Sequence, residues 1–325
     1  MQMQEEIVTS IPARGAQRTT AILIANPSAG SYHENEQQIK DAVTYLNNNG
    51  WDVELKLTQE AGDGSKFARE AVDKHLDVVI AVGGDGTINE MIQELAGSET
   101  ALGVIPSGTV NVWARETGIP LSSSEAQEVL RYGRTRRIDL GKVNDRYFLL
   151  MSTIGFDAEV THTVEKRPAK RFGVLGYIFL GAWLGLGYPN FQVTLKMGKR
   201  VIRERALQVV FGNTQLYAGT IKFTWRAKCD DGILDISIVR SQNVFGRLMI
   251  GIDFLLRRKK RERWVLYESA EEIEIHTPQE VAIQVDGDPD GYTNKTGFPP
   301  TIVRVVPGAL KVIVPQDAPK DLFSK

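Results

Sequence analysis

The chain has 325 residues, of which 42% are hydrophobic and 24% charged, with a formal net charge of -1 and one cysteine. The length favours two domains over a single core, and the near-zero charge excludes a nucleic-acid binder that works through an overall positive field. Cys229 alone excludes an internal disulfide framework and a cysteine-based zinc site, and it fits a reducing, cytoplasmic setting.

Met1 to Thr19 is polar without an apolar core, so it reads as a disordered lead-in and not a signal peptide. The first strand is expected at Ala21 to Ala25, ending in Asn26-Pro27-Ser28-Ala29-Gly30. A helix follows from about Asn35 to Asn48, stopped by Asn49-Gly50. Val53 to Leu57 is the second strand, ending at Thr58, and Ser65 to Lys74 the next helix. The apolar run Val78 to Val82 is a third, buried strand, and a helix is expected from Ile88 to Ala96. Ala101 to Ile105 is the fourth strand, ending in Pro106-Ser107-Gly108-Thr109, with a helix from about Val110. Strands alternating with helices at this spacing predict a doubly wound parallel α/β sheet. Ligands bind such sheets outside the carboxyl ends of the strands, where Asn26, Thr58, Asp85 and Thr109 fall.

Between the third strand and its helix lies Gly83-Gly84-Asp85-Gly86-Thr87-Ile88-Asn89-Glu90. Glycines allow close backbone approach, and the helix start offers free N–H groups to a phosphate chain. Asp85 is a candidate to hold Mg²⁺ or orient phosphate oxygens, and Thr87 to cap the helix while offering its hydroxyl. The bland alternative is a tight turn capped by Asp and Thr. No Walker A lysine signature is present, which excludes a P-loop enzyme.

After Arg137 short β-rich runs take over: Tyr147 to Thr153, Phe191 to Met197, Ala206 to Phe211, Ile233 to Val239, Ile273 to His276, Val281 to Val285 and Ile302 to Val306. They predict an antiparallel β-sandwich with no further βαβ unit. The expected domains are residues 20–137 and 138–307, with residues 308–320 a candidate return to the first. Phe172 to Pro189 is almost uncharged. It reads as a helix packed on the second domain, as a helix touching lipid, or, least favoured because of its glycines, as a membrane span. Arg257 to Arg263 is a dense basic run, either a solvated face or a patch for an anionic membrane. Asp230 to Asp235 places three acids around Gly232, an oxygen-rich cation loop or an acidic turn. Asp286 to Gly291 has the composition of a hairpin turn.

Taken in order, Asn26 to Gly30, Gly83 to Glu90, Pro106 to Asn111, Gly155-Phe156-Asp157-Ala158, Ala227 to Asp235 and Val285-Asp286-Gly287-Asp288 resemble the diacylglycerol kinase catalytic superfamily. The branch is that of the bacterial lipid kinases related to ceramide and sphingosine kinases, and the resemblance runs from about Ala21 to Pro315. It implies an enzyme that moves the γ-phosphoryl of ATP to a lipid hydroxyl, diacylglycerol by default, with ATP in the cleft between domains and the lipid on the sandwich. It assigns nucleotide binding to Gly83 to Glu90 with Asn26, Thr58, Ser107, Gly108, Thr109 and Asn111, and catalysis to Asp288 as general base and Asp85. It assigns Mg²⁺ to the Asp231 side chain and the carbonyls of Lys228 and Ile233. A cytoplasmic protein in peripheral contact with the inner membrane face is expected, with a homodimer as a candidate assembly.

Two positions depart from the pattern. Val112 stands where the family has an acid after Asn111, and Asp288 where it has glutamate. A displacement of about 1 Å at a reacting group can cost a hundredfold in rate. The alternatives are an NAD kinase-like enzyme, which shares the Gly-Gly-Asp-Gly-Thr loop, and a catalytically weak regulator that binds nucleotide or lipid.

Overall fold

In the computed structural model the described residues are 18–27, 32–165, 187–217, 219, 221–240, 243, 246–247 and 264–324. The basic run Arg257 to Arg263, all but the last residues of Phe172 to Pro189, and residues 1–17 of the lead-in lie outside them. The chain forms two compact units, Met1–Asp139 with Pro307–Lys325, and Leu140–Val306.

The first unit follows the alternation of apolar runs and amphipathic segments. Its elements are β1 (Thr19–Ala25), α1 (Tyr32–Asn48), β2 (Trp51–Leu57), α2 (Asp63–Asp73), β3 (Val78–Gly83), α3 (Asp85–Leu95), β4 (Ala101–Pro106), α4 (Val112–Thr117) and α5 (Ser123–Tyr132). Every residue of β3 and β4 is buried, as expected of parallel strands covered on both faces. β1 pairs in parallel with β2 on one side and β3 on the other, and β4 extends the sheet beyond β3. The sheet reverses its winding at the β1–β3 boundary, the place where open α/β sheets of this kind take ligands. Helix α2 packs on α3, and α1 packs on α5.

Beyond shifts of a few residues at element ends, the lead-in, the start of α3 and an added helix differ from expectation. The lead-in stops short of Thr19, because Thr19 N–H donates to the Gly50 carbonyl (3.1 Å) and Thr20 donates from N and Oγ1 to Asp77 (2.8 and 3.0 Å). Helix α3 begins at Asp85, with Gly84 as its N-cap, so Thr87 lies inside the helix and does not cap it. Helix α5 has no counterpart in the expectations; Ala126, Gln127 and Leu130 form its buried stripe.

In the second unit the strands are β5 (Arg134–Val143, entering from the first unit), β6 (Arg146–Phe148), β7 (Met151–Gly155), then α6 (Phe156–Glu165), β8 (Phe191–Met197), β9 (Arg200–Gly212), β10 (Leu216–Tyr217), β11 (Ile221–Lys222), β12 (Leu234–Arg240), β13 (Val265–Ala270), β14 (Glu272–His276), β15 (Ala282–Val285), β16 (Asp288–Tyr292) and β17 (Thr301–Val314). Within this unit β7, β8 and β12 pair antiparallel with β9, β15 with β7, and β14 with β8. Phe148, Phe191, Phe211, Ile236, Ile275 and Ile283 belong to the buried cluster between its layers. Helix α6 interrupts the β-rich grammar expected there. The long β17 serves both units: Thr301–Arg304 pair with β14, and Lys311–Val312 pair in parallel with β4.

Candidate active site

At the carboxyl edge of the first unit, Asn26 follows β1, Thr58 follows β2, Gly83 ends β3 and Ser107 follows β4. Thr58 N–H donates to the Ala25 carbonyl (3.0 Å), and Ser107 N–H donates to the Gly83 carbonyl (3.0 Å), so adjacent strand ends are tied together. The β3 and β4 loops then touch glycine on glycine. A Cβ at Gly108 would lie 2.5 Å from the Gly84 Cα, and a Cβ at Gly84 would lie 3.2 Å from the Gly108 Cα. A Cβ at Gly83 would strike the Thr87 side chain at 2.5 to 2.9 Å, which locates that side chain over the end of β3. Gly86 is different: nothing lies within 4 Å of its missing Cβ, and its φ is not in the left-handed region. Among the described residues no contact demands glycine at 86, whereas close approach of a ligand would.

Asp85 spends its carboxylate on the neighbouring helix. Oδ2 accepts from Val112 N–H (2.9 Å) and Oδ1 from Trp113 N–H (3.1 Å), capping the first turn of α4 from 27 residues away. Burial raises its pKa, and the backbone hydrogen bonds oppose that rise. Asn111 turns the chain into α4 in the left-handed region (φ 53°) and closes a ring with Gly108, accepting from its N–H (2.9 Å) and donating to its carbonyl (2.8 Å). Val112 is buried, so the departing residue is a core contact. Thr109 is exposed beside this ring. Ile88 and Asn89 are buried in α3. Glu90 lies against α2: a Cβ at Gly64 would come within 2.6 Å of Glu90 Oε2, and Ser65 Oγ donates to the Glu90 carbonyl (2.8 Å). Asn26, Thr58, Gly83, Gly84, Asp85, Ser107, Gly108 and Asn111 thus share one edge, while Ile88, Asn89 and Glu90 serve helix packing.

The second unit carries the acidic residues. Asp286 and Gly287 form a two-residue loop between β15 and β16, with φ of 48° and 92°, the paired positive φ of a type I′ hairpin. The Asp286 carboxylate accepts from the N–H groups of Leu149 (2.7 Å), Leu150 (2.9 Å) and Met151 (2.9 Å). Asp288 opens β16, with its side chain 51% exposed, and Arg146 bridges Asp288 (3.0 Å) and Asp290 (3.2 Å). Burial raises the Asp290 pKa, with the Arg146 charge opposing. The stretch expected as a hairpin turn is one, and the Asp288 side chain beside it is half-exposed.

Two family models match the chain. The diacylglycerol kinase catalytic domain covers residues 20–143, and the YegS C-terminal NAD kinase beta sandwich-like domain covers residues 151–314. A diacylglycerol kinase of Staphylococcus aureus (strain bovine RF122 / ET3-1) is 30% identical over 84% of this chain and 87% of its own length. A "Probable lipid kinase YegS-like" of Pseudomonas syringae pv. syringae (strain B728a) is 32% identical over 87% of this chain and 90% of its own. The chain belongs to the diacylglycerol kinase and YegS-like lipid kinase family. A crystal structure of a candidate diacylglycerol kinase from Bacillus anthracis str. Sterne superposes with a TM-score of 0.77 at 27% identity, covering 93% of this chain and 97% of that one.

Within this kinase family member, the Asp230 to Asp235 loop has the chemistry of a hard-cation site. Gly232 turns it at φ 77°, and Asp231, exposed, accepts from Ile233 N–H (3.2 Å). Burial and then the Asp231 charge raise the pKa of Asp235 to about 6, with Arg226 opposing. Lys228 and Ile233 lie half-buried on the same loop. Among the described residues no three acid, histidine or cysteine side chains converge on one point. Among the described residues no helix is long and apolar enough to cross a membrane. The sequence reasoning missed Arg146 as a partner of Asp288, because 142 residues separate them and only the fold joins them.

Proposed function

We propose that the chain is an ATP-dependent lipid kinase that phosphorylates a lipid hydroxyl, with diacylglycerol as the default acceptor. The first unit takes the triphosphate on the backbone of Gly83 to Thr87 and Ser107 to Thr109, with Asn26 and Thr58 at the neighbouring strand ends. The observation that carries this reading is the glycine-on-glycine contact of 84 and 108 between the β3 and β4 loops, next to the β1–β3 switch point and beside a Gly86 that the packing of the described residues does not require. Asp85 orders the α4 turn that carries Asn111, and so acts on the nucleotide through the loop it fixes.

In the second unit Asp288 is the general base. Its carboxylate takes the proton of the lipid hydroxyl while that oxygen forms a bond to the γ-phosphorus. The bond from the γ-phosphorus to the β–γ bridging oxygen breaks, and ADP carries away the negative charge. Arg146 orients the base by holding one of its oxygens. Mg²⁺, when bound, neutralises phosphate charge or, in the loop of Asp231, the acid pair there. The remaining work is positioning, which phosphoryl transfer needs more than covalent help from the protein.

A second reading is a weak enzyme that chiefly binds nucleotide or lipid. Buried Val112 in place of an acid and the short, Arg146-paired Asp288 favour it. Radiolabelled ATP offered with mixed micelles of diacylglycerol and other lipid alcohols, and separately with NAD, separates the readings. Label in lipid supports the kinase, label on NAD supports an NAD kinase, and nucleotide binding without transfer supports the regulator.

A further inference from the structure

Asp157, in the stretch Gly155 to Ala158 that the mechanism above leaves unused, sits on the first turn of α6 and is 7% exposed. Its position is set locally: Gly155 has φ 104°, and a Cβ there would meet the Leu207 carbonyl at 2.6 Å. Three side chains donate to its carboxylate. Thr153 Oγ1 (3.0 Å) and Gln284 Nε2 (3.1 Å) reach Oδ2, and the Tyr217 hydroxyl reaches Oδ1. Gln284, 1% exposed on β15, accepts at its other end from the Gly287 N–H (2.7 Å). The amide has one workable orientation: reversed, its NH₂ would face the Gly287 N–H and its oxygen would face the Asp157 carboxylate. An unbroken hydrogen-bonded path therefore runs from a buried carboxylate to the residue before Asp288.

We propose that Asp157 and Gln284 are positioning residues that set the reach of Asp288, an inference that rests on the reading of Asp288 as base. The turn is pinned on both sides. Asp286 fixes it to the β6–β7 segment through three N–H groups, and Gln284 fixes Gly287, the residue whose left-handed φ aims the chain into β16. An aspartate has one methylene less than a glutamate with which to find the hydroxyl, so its backbone placement decides whether it arrives. Burying a charge costs stability, and a fully apolar cluster fills such space more cheaply. What the carboxylate adds is direction: it forces the amide oxygen of Gln284 toward Gly287.

The test compares Asp157→Asn, Gln284→Leu and the exchanged pair Asp157→Asn with Gln284→Glu. The exchanged pair restores one donor, one acceptor and the single charge with near-equal volume, so it guards against mere misfolding. Hydrogen exchange is read at residues 286–290 and in β9, alongside kcat and KM for ATP with diacylglycerol micelles. Each single variant should speed exchange of the Gly287 amide about tenfold while β9 keeps its protection. Each should also lower kcat about 10- to 100-fold with KM for ATP unchanged, and the exchanged pair should recover most of both. Unchanged exchange or unchanged kcat in the single variants overturns the inference, as does an exchanged pair no better than Asp157→Asn. Full activity of Asp288→Asn overturns instead the base assignment beneath it, and the two failures are read from different variants.

Discussion

The carboxyl edge of the first unit and the Asp286–Tyr292 hairpin of the second handle charge in opposite ways. The edge presents glycines 83, 84, 86 and 108, and its carboxylate, Asp85, is turned inward onto the amides of Val112 and Trp113. A surface of N–H groups suits a triphosphate because fixed backbone dipoles need no rearrangement when the anion arrives. The hairpin keeps Asp288 half-exposed beside Arg146, and orders the backbone beneath it with Asp286 and Gln284. One edge presents backbone and buries its carboxylate, and the other leaves a carboxylate half-exposed beside an arginine. The lesson is that Asp85 and Asp286, the acids of two Asp-Gly turns, both face inward onto backbone N–H groups, whereas Asp288, just past the second turn, stays half-exposed.

The sharpest way to break that contrast is Asp288→Asn. It should cut kcat by about 100- to 10,000-fold and leave the ATP-induced rise in Tm intact, because the proposed nucleotide cradle lies in the other unit. Thermal shift and initial rates on the same preparation check this, and a kcat near that of the unaltered protein removes Asp288 from the chemistry. Gly108→Ala attacks the other side. Its methyl would enter the Gly84 backbone, so the ATP-induced shift should vanish and kcat/KM should fall on the order of a hundredfold. Retained ATP protection would show that the two loops do not form the phosphate cradle. Asp85→Asn keeps one acceptor for the α4 amides and sets an NH₂ against the other. It should cost about 1 kcal/mol in denaturant unfolding, with activity falling in step with loss of the α4 cap.

The smallest effect concerns Asp235. A carboxyl whose pKa is raised on folding, here to about 6 from 3.8, binds its proton more tightly folded than unfolded. Stability therefore declines as pH rises across that window, and the penalty is complete above it. Asp235→Asn should raise stability at neutral pH without Mg²⁺ by about 1 kcal/mol, discounted for partial exposure, and the gain should disappear below about pH 4. Mg²⁺ should narrow the difference, and melting curves across pH with and without it provide the check. A difference that grows on acidification would contradict the sign.

Local patterns carried the strands well. Val78 to Val82 and Ala101 to Ile105 are unbroken apolar runs, and Phe191 to Met197 alternates, so burial and register followed from spacing. Helix α6 was hidden because Val160, Thr161, Thr163 and Val164 are β-branched and favour strands; the fold imposes a helix on them by burying Ala158 and Val160. Thr87 looked like a cap, yet the capping acid for the next helix is Asp85, a partnership across 27 residues that local sequence cannot reveal. The same holds for Arg146 with Asp288 and for Asp157 with Gln284, whose partners lie more than a hundred residues apart. What the motif string did mark was Gly155, whose conformation and crowding admit no other residue.

The passage of β17 through both units bears on how the protein is made. Lys311 and Val312 are translated after the entire insert, yet they supply the parallel neighbour of β4. On the ribosome the sheet of the first unit waits, with one flank bare, until Lys311 and Val312 have been made. A truncated gene stopping near residue 143 would release that flank permanently, inviting intermolecular strand addition.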